Sequence, residues 1–284
     1  MDQCRCGELA TLTDGKPGVI RKGYLTHDSG QLHYRCCGDE SLPLLILLHQ
    51  TPSSSAMYLR LMPLLAPHFF VLAVDTPGFG NSDPLPADVS IATFAEVIFK
   101  AVSRTFDRPV LVFGHHTGAA IAVQLAFDQP EFVRALALSG PTLLTEAQKE
   151  ALPSAAQAVS LDEKGSHWQE MWQRLRAKDP EADLALTLRE TLLAFTCGDY
   201  YEASYRAVAE QDVARQMATI QCPTLVFAGG RDLLRSAVVP SVRLLPQGRE
   251  AALPEEAGTY VCDRQPDAVA DLLRQFFLEI VEAG

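Results

Sequence analysis

Short unbroken apolar runs recur along this chain, separated by stretches in which apolar residues return at helical spacing. Residues 42–48, 69–74, 110–113, 135–138 and 224–228 are almost wholly apolar and show no alternation. Runs of that length read as strands covered on both faces. Between them, the spacing predicts helices over 53–66, 91–106 and 117–127, one starting near 237, and a closing amphipathic helix over 266–281. The first of these has Ser53 or Ser54 as its N-cap candidate. Near the start, 19–27 and 31–37 flank Asp28-Ser29-Gly30, a turn tripeptide, and read as a hairpin. A further short strand is expected near 251–253. Strand, helix and strand in series imply parallel crossovers, so the expected fold is α/β, a doubly wound and mostly parallel sheet with helices on both faces.

The rhythm breaks between residues 141 and 217. No convincing strand lies there, only helical patches over 168–177 and 182–194, with Pro153 and Pro180 as breakers. The expected organisation is therefore a core of residues 1–140 and 218–284 carrying a helical cap, or lid, of residues 141–217. Composition narrows the function classes. The 24 Lys and Arg against 35 Asp and Glu leave a formal charge of −11, which argues against a nucleic-acid partner. The run 42–48 is far short of the roughly 20 residues a bilayer demands, so no membrane partner is expected. Met1-Asp2-Gln3-Cys4-Arg5-Cys6 holds no apolar segment of the signal-peptide kind. Seven cysteines, with no C-x-x-C pair, favour a reducing cytoplasm over a disulfide framework or a zinc site. No phosphate-binding loop or metal-ligand cluster is evident, and neither cofactor nor metal is expected. A small molecule is the expected partner, and a homodimer stays open.

The chemistry concentrates in Gly114-His115-His116-Thr117-Gly118, between a buried strand and a helix rich in small residues. This G-x-Nu-x-G spacing is a nucleophile elbow, in which glycines permit a tight strand-to-helix turn that projects the middle side chain above the sheet. His49-Gln50-Thr51-Pro52 follows the third strand, Asp75-Thr76-Pro77-Gly78-Phe79-Gly80-Asn81-Ser82 the fourth, and Gly229-Gly230-Arg231-Asp232 a late one. Together these segments resemble the α/β-hydrolase superfamily over nearly the whole chain. The resemblance implies an oxyanion hole at Thr117 with Gln50 or Thr51, a triad acid at Asp232, and the 141–217 insertion as cap.

Two departures from that family follow from the residues themselves. The elbow residue, normally Ser and sometimes Asp or Cys, is His116, and Thr259 stands where the catalytic His is expected. No His follows His167, so no realignment restores one. A standard serine-hydrolase mechanism is excluded on this alignment. The candidate catalytic set becomes His116, Asp232 and Thr259, with Thr259 orienting His116 directly or through a water and Asp232 behind. A helix N-terminus disfavours a cation, so a neutral imidazole acting as general base is the expected species. That base suits a small, largely apolar ester or carbonyl compound, through unconventional hydrolysis or proton abstraction of the lyase, decarboxylase or isomerase type. The alternative is a catalytically silent, receptor-like protein that keeps the pocket. His115, Ser53, Trp168 and Trp172 are the candidate substrate contacts. Each also has a packing or capping reading.

Overall fold

A computed structural model describes residues 18–28, 30–85 and 88–283. Cys4, Cys6 and Ser29 lie outside the described residues. Eight strands form one sheet: β1 (Arg21–His27), β2 (Gly30–Cys37), β3 (Leu44–Leu48), β4 (Phe70–Val74), β5 (Val110–His115), β6 (Val133–Ser139), β7 (Thr224–Phe227) and β8 (Gly248–Glu250). Their spatial order is β1-β2-β4-β3-β5-β6-β7-β8. β1 and β2 pair antiparallel, as do β2 and β4, while every pair from β4 through β8 is parallel. The apolar runs are central strands because both their faces are covered. Leu44, Ile46 and Leu48 of β3 pack into one layer of core, and Leu45 and Leu47 into the other. Each such leucine contributes about 1.5–3 kcal/mol by leaving water.

The flanking helices are α1 (Met62–Leu65), α2 (Ile91–Ser103), α3 (Thr117–Asp128), α4 (Glu146–Ala155), α5 (Ser166–Lys178), α6 (Leu184–Thr196), α7 (Tyr200–Glu210), α8 (Val213–Thr219), α9 (Val238–Leu244), α10 (Val261–Arg264) and α11 (Pro266–Glu282). Ser90 starts α2 through a capping box with Thr93, which satisfies two backbone donors at once. α4 to α8 all fall between β6 and β7, and residues 141–217 contain no strand. Arg189 of α6 ties this helical segment to the rest through a bidentate pair with Asp263 of α10, at 2.8 and 2.7 Å.

Two expected elements are corrected. The single helix over 53–66 is a 3-10 turn, Ser55–Tyr58, followed by the one-turn α1. Pro63 lacks the N–H a continuous helix would need and sits in the first turn of α1, where that donor has no partner anyway. The strand expected near 251–253 is β8, three residues earlier, with the sequence Gly-Arg-Glu. At the sheet edge one side faces water, so the strand is polar, and Ala251 just beyond it still donates its N–H to the Val226 carbonyl of β7 at 3.1 Å. No helix among the described residues is long and apolar enough to cross a membrane. Cys36, Cys37, Cys197, Cys222 and Cys262 are free thiols.

Candidate active site

β5 delivers the chain to His115 and α3 starts at Thr117, leaving His116 as the hinge between them. Its backbone, at φ 51° and ψ −112°, makes it the only non-glycine of positive φ among the described residues. Such a backbone costs on the order of 1–3 kcal/mol and persists only where the surroundings fix it. The surroundings here are the two elbow glycines. A Cβ on Gly114 would collide with the carbonyl of Gly118, and one on Gly118 with that of Leu48. Both absences let α3 press onto β5 and β3.

The imidazole of His116 meets Asp232 directly, Nε2 to Oδ2 at 2.8 Å. Asp232 follows β7, and its other oxygen accepts the Leu234 N–H at 2.8 Å. Burial alone would raise this carboxyl. The charge and hydrogen bond of His116, the field of His115 and the Leu234 N–H outweigh burial, holding the carboxyl well below the ordinary range. A carboxylate accepts only, so Nε2 carries the hydrogen, and whenever the ring is neutral its lone pair is on Nδ1. Gly140, just past β6 at φ 61°, makes room for the pair. A Cβ there would stand 2.5 Å from Nε2.

His115 lies beneath, its ring 4.3 Å from that of His116 between centroids. It is wholly buried. Its Nε2 donates to the Thr259 carbonyl at 2.8 Å, leaving Nδ1 to accept the Ser139 hydroxyl at 3.0 Å. Burial, helped by the neighbouring His116, pushes its titration down to about 3. His115, His116 and Asp232 offer ligand atoms within 4.8 Å of one another. Both nitrogens of His115 are already bonded, however, so a metal would have to displace the Ser139 or Thr259 contact.

Above His116 opens a cavity of about 350 Å³, lined by Thr51, Thr117, Thr142 and Thr259 and by the apolar Leu144, Leu152, Val208 and Leu234. Of the residues singled out from sequence, His116, Thr117, Thr51 and Thr259 line it, and Asp232 stands behind His116. No direct hydrogen bond joins Thr259 to His116 among the described residues. The Thr259 carbonyl holds His115, while its buried hydroxyl has no partner among the described residues. Gln50 is buried off the cavity wall, and its Oε1 has no partner among the described residues. Ser53 is buried and donates to Glu190 at 3.3 Å. Trp168 packs on Phe195 with ring centroids 4.6 Å apart and is 45% exposed. His115, Ser53, Trp168 and Trp172 are all absent from the lining. Asp75 organises the loop after β4, accepting from Ser55 N–H at 2.6 Å and Asn81 N–H at 3.0 Å.

Sequence reasoning missed Gly140, Thr142, Lys178 and Tyr205. Gly140 had a signal, since a glycine directly after a parallel strand stands at the end where such sheets build their sites. The others sit on α5, α7 and the β6–α4 loop, and only the fold brings them together.

A mostly parallel sheet, an elbow between β5 and α3 and an acid after β7 define the α/β-hydrolase architecture, and the chain belongs to that family. The sequence model of the alpha/beta hydrolase fold matches residues 43–236. A fluoroacetate dehalogenase from Burkholderia sp is 28% identical over 297 residues, covering 88% of this chain and 91% of that protein. The (E)-2-((N-methylformamido)methylene)succinate hydrolase of Acinetobacter baylyi is 26% identical over 193 residues, covering 66% and 72%. Among solved structures, Cfl2 of Burkholderia cenocepacia superimposes with a TM-score of 0.77 at 25% identity, covering 91% and 96% of the two chains. A thermophilic esterase from Thermogutta terrifontis does so at 0.75 and 20%, covering 92% and 99%, a likeness of fold.

Proposed function

We propose that this protein is a hydrolase that works without a serine nucleophile, using His116 as a general base on a small, largely apolar ester or related carbonyl compound. The observation that carries the reading is the 2.8 Å bond from His116 Nε2 to Asp232. It fixes the tautomer that leaves Nδ1 free to take a proton, and its carboxylate stabilises the imidazolium that results. Water attacks the substrate carbonyl while Nδ1 takes its proton. The Thr117 N–H, one of the unsatisfied donors opening α3, with one from Thr51, receives the developing oxyanion. The imidazolium then returns the proton to the leaving group, and no acyl-enzyme forms. The helical segment 141–217 acts as the cap, supplying the apolar wall. No cofactor takes part.

The relatives named as hydrolases and a dehalogenase support hydrolytic chemistry on small molecules. The test is turnover across a panel of chromogenic esters. His116→Ala should lose roughly 10²–10⁴ in kcat, the usual worth of a general base. Pre-steady-state traces should show no burst, and a fluorophosphonate probe should leave the protein unlabelled. Unchanged turnover in His116→Ala refutes the reading. So does tight small-molecule binding with no turnover on any carbonyl substrate, the behaviour of a silent receptor.

A further inference from the structure

The wall of the cavity carries a cation that no carboxylate pairs among the described residues. Lys178, the last residue of α5, lines the cavity, and its Nζ lies 3.2 Å from the Tyr205 hydroxyl and 5.9 Å from the centre of that ring. Tyr205 donates its own proton to the Thr51 carbonyl at 2.8 Å, so it accepts from the ammonium. No described carboxylate pairs with Lys178. The acids whose fields reach it are committed elsewhere: Glu190 to Arg189 at 2.7 Å and Asp232 to His116 at 2.8 Å. Asp179, the next residue in the chain, turns away to Arg264 at 2.8 Å. Arg174 also borders the cavity, but its guanidinium is spent on the Gln157 carbonyl and on Glu170.

An ammonium held in a largely apolar enclosure with one neutral partner is costly, and an arriving anion removes that cost. We propose that the cavity selects a small carboxylate with an apolar body, its anion seated on Lys178 and its scissile group toward His116. Burial, which depresses the ammonium's titration, agrees, because a bound carboxylate restores the charged form. The apolar lining by Leu144, Leu152, Val208 and Leu234 fits the body of such a molecule. The proposal rests on this cavity being the substrate site of the hydrolase described above.

Calorimetric titration with phenylacetate and its neutral isostere phenylacetamide tests it without requiring turnover. The wild-type protein should bind the acid roughly tenfold or more tightly than the amide, as expected for a desolvated charge pair. Lys178→Met and Lys178→Gln should each erase the preference, and His116→Ala should retain it. Equal affinities in the wild type, no binding of either probe at millimolar concentration, or a preference that survives both lysine variants overturns the proposal. A preference lost in His116→Ala and kept in Lys178→Met also overturns it, since the anion then sits on the imidazole. Failure of the base mechanism shows separately, as unchanged ester turnover in His116→Ala.

Discussion

Gly140→Ala is the most direct probe of the His116–Asp232 pair, because its two costs are separable. Gly140 has φ 61°, so alanine there pays the left-handed backbone penalty of about 1–2 kcal/mol. The new methyl would also stand 2.5 Å from His116 Nε2, far inside contact distance, so the ring must move. Moving it sacrifices a buried charge-assisted hydrogen bond, about 1.5–3 kcal/mol. The sum is about 2.5–5 kcal/mol. Gly198, at φ 53°, isolates the backbone part, since a Cβ there meets nothing within 4 Å. Gly198→Ala should therefore cost only about 1–2 kcal/mol. Urea denaturation of both variants at pH 7 measures the difference. Equal destabilisation would mean that the imidazole does not rest against Gly140, and the geometry argued for the base would be wrong.

Two further outcomes concern buried charge. His115 titrates near 3 when folded and at 6.5 when unperturbed, so the unfolded chain takes up a proton first as pH falls. Its contribution is present above about 6.5 and lost toward 3, at up to about 1.4 kcal/mol per unit. Denaturation midpoints between pH 7 and 4 should thus fall less steeply in His115→Gln than in the wild type, and parallel slopes would contradict the assignment. Arg189→Met should cost about 3–5 kcal/mol by chemical denaturation, because it strands two buried acids, Asp263 and Glu190. That loss should shrink in mild acid, where Glu190, already raised by burial, protonates most readily. A loss independent of pH would show that Glu190 stays paired without Arg189.

The core was readable because burial on both faces leaves a mark. β3, β4, β5 and β6 announce themselves as unbroken apolar runs, and the glycines at 114 and 118 mark the elbow. β8 was misplaced because an edge strand of three residues has no apolar signature. The contact between His116 and Asp232 was half legible. His116 and Asp232 were identified as members of a set, but their direct contact depends on the gap at Gly140. Thr259 shows the limit of positional reasoning. It stands in the expected loop, yet its backbone carbonyl makes the contact, and to His115 rather than His116. Lys178 and Tyr205 come from different helices of the 141–217 segment, and no local pattern joins them.

The 2.8 Å bond between His116 and Asp232 places an imidazole on the acid directly from the elbow, the position at which serine enzymes carry their alcohol. His116→Ser would strip Asp232 of its imidazole and leave the new hydroxyl without the base that a triad supplies. Adding a histidine at 259 while 116 keeps its ring would supply a base with no alcohol to serve. Neither exchange alone brings an alcohol, an imidazole and a carboxylate together, so positions 116 and 259 have to change as a pair before a serine triad can form around Asp232.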